Sequence, residues 1–281
     1  METGLIDLEI AENQIAIDFD SLNNVEEEES SLIPNSLIKA QNHDWIKDEV
    51  LFVVVRAEKH NLKLCGKEMT DWVLMAGSGC AQIVIDNCDD IVERVRNIET
   101  DKKYIAVFYS DTPLFDRASF YEIIDHFTSR SINFLQLSRG FVVKTSFLKN
   151  SPSFMQSANG GFEVKSLVRV DNSKTLSLVQ EILNDKILTF HISNGVVIFG
   201  ANTVYIDADV EIDAGTIIHP NVVLKGETIV GASCEIESGC VVEDSIISNG
   251  CKVKAMSLIK RSKVGQGKVV EAGSKVVNEE I

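Results

Sequence analysis

The stretch VYIDADVEIDAGTIIHPNVVLKGETIVG, residues 204–231, decides how the C-terminal third folds. Ile206, Ile212, Ile218, Leu224 and Val230 recur at every sixth position, and Ile236 and Val242 extend the series. Four residues after each anchor stands a residue that is small or branched: Val210, Thr216, Val222, Thr228, Cys234, Cys240 and Ile246. After a five-residue step the series resumes at Ile247, Val253 and Ile259, and a second short step leads to Val264, Val270 and Val276. Gly, Asp, Asn and Ser stand between the anchors, where the chain must bend sharply. A period of six with one inward aliphatic and one inward small residue suits a triangular prism. Three hexapeptides would make one coil, and Ile206 to Val277 would supply about four.

Working outward, residues 50–200 alternate strand and helix patterns. VLFVVV predicts a buried strand, Lys67 to Ala76 a helix and AQIVID a second strand. Helical DDIVERVRNI, the strand YIAVFYSD and a helix from Asp116 to Arg130 follow. INFLQL and GFVVKT read as further strands, and Lys174 to Ser193 as a longer helix leading into the prism. Such alternation predicts a mostly parallel sheet with helices on both faces and ligands at the carboxyl strand ends. Gly77-Ser78-Gly79 follows a helix and precedes a strand, the reverse of a phosphate loop, and predicts a helix C-cap and turn.

Several segments carry a family likeness. The prism resembles the left-handed parallel β-helix of hexapeptide acyltransferases. KHNLKLCGKEMTDWVLMA, YSDTPL, VDNSKTLSLVQEIL and NGVVI followed by TVYIDADVEIDAGTIIHPNVVLKGETIVG are similar to segments of the bifunctional UDP-N-acetylglucosamine pyrophosphorylase/glucosamine-1-phosphate N-acetyltransferase. The resemblance implies an α/β, Rossmann-like nucleotidyltransferase-like domain followed by the β-helix, and a homotrimer. The expected organisation is an acidic leader over 1–49, a reduced nucleotidyltransferase-like domain over 50–200 and the β-helix over 201–281.

By position, the resemblance puts Asp111 where the family has its magnesium-binding aspartate and Lys59 where a phosphate-contacting lysine is expected. Asp171, beside Asn172, occupies the place of an asparagine that completes the Mg²⁺ site, and an aspartate also offers oxygen to that ion. Three family segments are missing. Arg56-Ala57-Glu58 stands where the loop L-x-A-G-x-G-T-R-M belongs. IVERVRNIETDKKY connects where a uracil-reading Q-x-x-x-G-T-x-H is expected. Ser138-Arg139 leads straight into GFVVKT where the sugar-holding segments belong. Each preorganised donor stabilises transition-state charge by on the order of 3 kcal/mol, so losing several would cost many powers of ten in rate. The family's acetyltransferase histidine and coenzyme A contacts lie in coils beyond Glu279-Glu280-Ile281, so that site is expected to be absent. His219 sits in the wrong coil and reads as a surface or corner histidine.

Composition narrows the partners. The 281 residues carry a formal charge of −15, and residues 1–50 hold 13 Asp+Glu against 2 Lys+Arg. That balance disfavours nucleic acid, and Glu26-Glu27-Glu28-Glu29 reads as part of a solvated leader or an acidic docking tail. The leader's apolar alternation would also allow one or two strands. No apolar run reaches the roughly 18 residues of a membrane span, and the start METGLIDLEIAENQ lacks a secretory pattern; a cytoplasmic location is expected. The six cysteines lack metal spacing and are expected to be reduced. Lys252, Lys254, Lys260, Arg261, Lys263 and Lys268 predict either a solvated face or a surface for an acidic partner.

Two functions follow as expectations. One is a catalytically impaired pyrophosphorylase-like protein that binds a sugar nucleotide or sugar phosphate, or a catalytically intact relative, as a regulatory or assembly subunit. The other is an active nucleotidyltransferase with a rebuilt pocket, using Mg²⁺ at Asp111 and Asp171, with Lys59 or Arg56 neutralising phosphate.

Overall fold

Strand β1 (Val50–Arg56) is apolar at six successive positions, and all six are buried. A strand covered on both faces must be central, and β1 lies between β4 (Ala81–Asp86) and β5 (Tyr104–Tyr109), parallel to both. These details come from a computed structural model that describes residues 43–58, 61–151 and 162–281. Lys59 and the leader through residue 42 lie outside the described residues. The last residues of the expected leader form helix α1 (Asp44–Glu49), in which Ile46 is buried.

The expectation of a mostly parallel sheet is corrected beyond β5. The sheet order is β4-β1-β5-β7-β6, and β7 (Gly140–Lys144) runs antiparallel to both β5 and β6 (Phe134–Leu137). Only Ser138 and Arg139 join β6 to β7. Two residues close a hairpin, whereas a parallel neighbour needs a crossover of a dozen or more. The helix expected from Lys67 is also shortened. Lys67–Glu68 is strand β3, paired antiparallel with β2 (Lys63–Leu64), and helix α2 begins at Met69 and ends at Ala76. Gly77 caps α2 through its backbone N–H, as the order of elements predicts.

Alternation along β1 divides the core. Leu51, Val53 and Val55 pack with Ile91 and Val95 of α3 (Ile91–Arg96) and Leu148 of α5 (Thr145–Asn150). On the opposite face Phe52 stacks on Phe108 at 5.1 Å between ring centroids and meets Phe120 edge-on at 5.0 Å. Phe120 belongs to α4 (Arg117–Ser129), which Asp116 caps by accepting from the Ser119 N–H at 2.9 Å. Buried aromatics of this size dominate packing energy where they occur.

Helix α6 (Ser173–Ser193) leads into the prism. Asn184 on α6 donates through Nδ2 to the Val204 carbonyl at 3.0 Å and accepts through Oδ1 from the Ile206 N–H at 3.2 Å, docking the helix on the first coil. Residues 46–281 form one compact unit containing both sheet and prism. One prism face is β8 (Val197–Ile198), β11 (Ile217–Ile218), β14 (Glu235–Ile236), β17 (Lys252–Val253) and β20 (Val269–Val270). The second is β9 (Tyr205–Ile206), β12 (Val223–Lys225), β15 (Val241–Glu243), β18 (Leu258–Lys260) and β21 (Lys275–Val277). The third is β10 (Glu211–Ile212), β13 (Ile229–Val230), β16 (Ile246–Ile247) and β19 (Lys263–Val264). All neighbours are parallel, and the architecture is the expected left-handed parallel β-helix.

Ile217 pairs with Glu235 and Glu235 with Lys252, so one coil takes 18 residues and the next 17. The five-residue steps fall at corners where Asp244 and Arg261 adopt positive φ, 48° and 47°. Every hexad anchor from Ile206 to Val276 is buried. The inward small residue at the first short step is Ser245, however, and Ile246 points outward. Skipping one residue at the corner reverses the side of the strand on which the next residue lies. Ser245 Oγ then accepts from the Ser262 N–H at 3.1 Å, one coil further on.

Candidate functional site

In-register pairing of Val55 with Ile85 and Tyr109 sets the carboxyl ends of β1, β4 and β5 side by side, where open α/β sheets bind ligands. At the end of β1, Arg56 Nη1 donates to Asp86 Oδ1 at 3.1 Å. Both side chains are well exposed, so the pair contributes under about 1 kcal/mol. The next backbone donor, the Ala57 N–H, is consumed inside the fold by Ser110 Oγ at 2.9 Å, and the Ser110 N–H by the Val55 carbonyl at 2.9 Å. The turn after β1 is therefore stitched to the end of β5.

Asp111 follows directly and is 3% exposed. Arg139 grips it with two bonds, Nε to Oδ1 at 2.9 Å and Nη2 to Oδ2 at 2.6 Å. Arg169 Nε donates to the same Oδ2 at 3.2 Å. The Arg139 guanidinium also lies over the Tyr109 ring, 3.9 Å from its centroid. Burial raises the Tyr109 phenol above its ordinary value, with Arg139 pulling the other way, so the ring stays neutral beneath the cation. Arg139 reaches this spot because the hairpin turns tightly at Gly140, whose φ is +131°. A Cβ there would lie 2.1 Å from the Val107 carbonyl oxygen, so only glycine lets β7 start this close to β5.

Asp171 is near in the backbone but differently engaged. The Val170 N–H donates to the Asp111 carbonyl at 2.7 Å, which joins the two segments. Asp171 itself is exposed, and its Oδ1 accepts from Asn172 Nδ2 at 2.6 Å and Thr175 Oγ1 at 3.1 Å. Asn172 is the N-cap of α6 and accepts from the Lys174 and Thr175 N–H groups. Asp171 thus supports a capping box at a helix N-terminus, where negative charge is favourable.

The resemblance read from the sequence implies a divalent ion here, and the donor set as arranged does not fit one. Both Asp111 oxygens accept from guanidinium groups, and two positive charges surround one negative. Mg²⁺ demands oxygen ligands near 2.1 Å in octahedral array, and it would have to displace both arginines. Among the described residues, no group of three or more His, Cys, Asp or Glu can hold a metal. The sequence reading missed Arg139 and Arg169 as site residues. The signal for Arg139 was the two-residue gap between INFLQL and GFVVKT, which forces the turn to the carboxyl end of β5.

Elsewhere the described residues are bland. All six cysteines are unbridged. Burial, with the nearby Asp207 charge, pushes the Cys65 thiol up to about 12. His219 Nε2 lies 3.1 Å from Glu235 Oε1 on a prism face. The basic residues of the last coils are paired across coils: Lys252 with Glu235 and Glu237, Lys254 with Glu271, Lys260 with Glu243 and Lys263 with Glu280. Their charge is largely answered within the prism. No helix among the described residues is long and apolar enough to cross a membrane.

With this geometry in view, comparison with known proteins is informative. Residues 201–281 match the family described as the GMPPB C-terminal domain. The chain is 28% identical over 197 residues, 69% of its length, to the bifunctional protein GlmU of Clostridioides difficile. It is 27% identical over 209 residues, 73% of its length and 44% of that protein, to the bifunctional protein GlmU of Listeria monocytogenes. The GlmU of Alkaliphilus oremlandii is 37% identical over 103 residues, 37% of this chain and 22% of that protein. The chain spans about two fifths of the length of the Clostridioides difficile relative, 41%. Among solved structures, a CMP:2-keto-3-deoxy-manno-octonic acid synthetase in complex with CTP overlays 49% of this chain and 99% of its own, with a TM-score of 0.41 and 11% identity.

Proposed function

We propose that this chain is a sugar-nucleotide pyrophosphorylase-like protein of UDP-N-acetylglucosamine metabolism that binds its ligand without turning it over and acts as a binding, regulatory or assembly subunit. The observation that carries the reading is the double arginine engagement of buried Asp111 at the carboxyl end of β5. The bonding of the Ala57 N–H to Ser110 supports it, since that donor is no longer offered to a triphosphate. The substrate class is the one implied by the sequence resemblance, and the likeness to bifunctional GlmU proteins supports it. The protein partner is a second copy or a catalytically intact relative. Outward apolar residues on flat prism faces, Val197, Ile229, Ile246 and Val269, support a homotrimer. A cytoplasmic location fits a protein of this metabolism. Pyrophosphate release from UTP and N-acetylglucosamine-1-phosphate with Mg²⁺ tests the reading. No turnover is expected, and turnover at about 1 s⁻¹, an ordinary enzyme rate, overturns it.

A second reading keeps Asp111 and Asp171 as Mg²⁺ ligands and Lys59 as a phosphate contact in an active nucleotidyltransferase. The backbone bond between Val170 and Asp111 favours it, because it holds the two carboxylate-bearing segments together. This reading requires Arg139 and Arg169 to swing off Asp111 when the ion arrives. Mg²⁺-dependent turnover that is lost in Asp111→Asn and in Asp171→Ala would select it.

A further inference from the structure

We infer that Arg139 and Arg169 form a metal-independent binding site for a phosphorylated ligand, one presenting a phosphate monoester or diphosphate group. The inference rests on the non-catalytic reading above and names the chemistry that its pocket takes.

The position is the first argument. Both guanidinium groups contact Asp111 at the carboxyl end of β5, next to which β1 ends, where a ligand enters an open α/β sheet. Their arrangement is the second. Arg139 and Arg169 meet on a single carboxylate oxygen, Asp111 Oδ2, at 2.6 and 3.2 Å. Two cations held this close repel one another unless something negative lies between them. One buried carboxylate answers one of the two charges and leaves the other.

The remaining donors are the third argument. Arg169 has a side chain 58% exposed and spends only Nε on Asp111, while Arg139, 24% exposed, retains Nη1. Among the described residues these other guanidinium nitrogens have no hydrogen-bond partner. Asp111 acts as a positioning residue: its bidentate grip and the Tyr109 ring fix the Arg139 plane.

Chemistry selects the ligand. Planar guanidinium forks match phosphate oxygens in bidentate fashion. A metal cation meets net positive charge here, and an uncharged sugar leaves the second charge unanswered. Nucleic acid is opposed by the chain's overall −15. In effect, the arginines supply the positive charge that a divalent ion would otherwise bring.

Isothermal titration calorimetry on the full chain, in EDTA, tests the site with inorganic pyrophosphate and with UDP-N-acetylglucosamine as probes. Binding of either probe is expected to persist in EDTA, and the tighter one identifies a free or a nucleotide-linked diphosphate as the ligand. Arg169→Ala should weaken it about tenfold or more, in line with loss of a charge-assisted contact, and Arg169→Lys should restore part. Asp111→Asn loosens the Arg139 plane, so binding in EDTA should weaken but remain measurable; Mg²⁺ added to the unaltered chain should not tighten it, and a Mg²⁺-dependent gain would overturn the inference. Should Asp111→Asn fail to fold, Arg169→Ala decides alone, since that side chain is mostly solvent-facing. Absence of binding in EDTA, or unchanged affinity in Arg169→Ala, overturns the inference while leaving the non-catalytic reading intact. Turnover with Mg²⁺ would overturn that reading even if EDTA-resistant binding were found.

Discussion

In the prism, Ile212, Val230, Ile247 and Val264 stack on one face and are interchangeable in role; each repeats what the previous coil has done. At the carboxyl end of the sheet, Asp111, Arg139, Arg169 and Tyr109 each do something no other residue does. The prism distributes its stability over many small aliphatics and hydroxyl-to-backbone bonds between coils. One face of the sheet concentrates packing in a few aromatics, and its carboxyl end concentrates chemistry in one charge cluster. Damage should therefore be local and graded in the prism but abrupt in the sheet.

The sharpest way to break this contrast is Phe108→Ala. Phe108 touches Phe52, Phe115 and Phe120 and is fully buried, so removal should destabilise by about 3–5 kcal/mol in urea titration. A loss below about 1 kcal/mol, the level of a tolerant surface site, would mean that the aromatic group is not the keystone. Next comes Arg139→Ala, which strips two of three bonds from a buried carboxylate and should cost about 3 kcal/mol. Adding Asp111→Asn should recover part of that loss, because the uncompensated charge goes with it. Additive losses would contradict the coupling.

In the prism, Ile236→Val should cost only about 0.5–1.5 kcal/mol, with neighbouring coils absorbing the change. Smaller still, and opposite in sign, is Met256→Gly. Met256 occupies a corner at φ +60° with its side chain 73% exposed, so glycine should stabilise by about 0.5–1 kcal/mol in thermal melting. A destabilised Met256→Gly would show that the exposed side chain contributes packing.

The helix that joins the two regions carries a pH signature. Burial lowers His191, near the end of α6, below its ordinary 6.5. The unfolded chain then takes up a proton before the folded one does. Stability is full above pH 6.5 and declines as pH falls below it, toward the folded value. Melting scans in that window should show the decline, and His191→Leu should flatten it. An unchanged slope in His191→Leu would place the effect on other groups.

How much of this was legible beforehand differs between the regions for the same reason. The hexad anchors could be read individually because each is judged by its neighbours six residues away. The misreading of Ile246 came from a one-residue slip at a corner, which the spacing announced without saying which residue would be skipped. At the sheet, Asp111 was legible as a residue that matters, from the YSDTPL likeness. Its actual partners lie 28 and 58 residues away, on a hairpin and a loop whose direction no local pattern specifies. The antiparallel turn at Ser138-Arg139 was written in the length of the gap, yet its consequence for Asp111 needed the strand order.

From its own letters the chain specified a coil of three short strands, a buried first strand and a glycine that caps a helix, since periodicity and backbone chemistry act over a few residues. Folding in three dimensions decided which way β7 runs, which residue fills each short corner, and that two arginines rather than open space surround Asp111. Those outcomes depend on charges and close approaches between distant segments, where the energy of a contact is set by who arrives beside it.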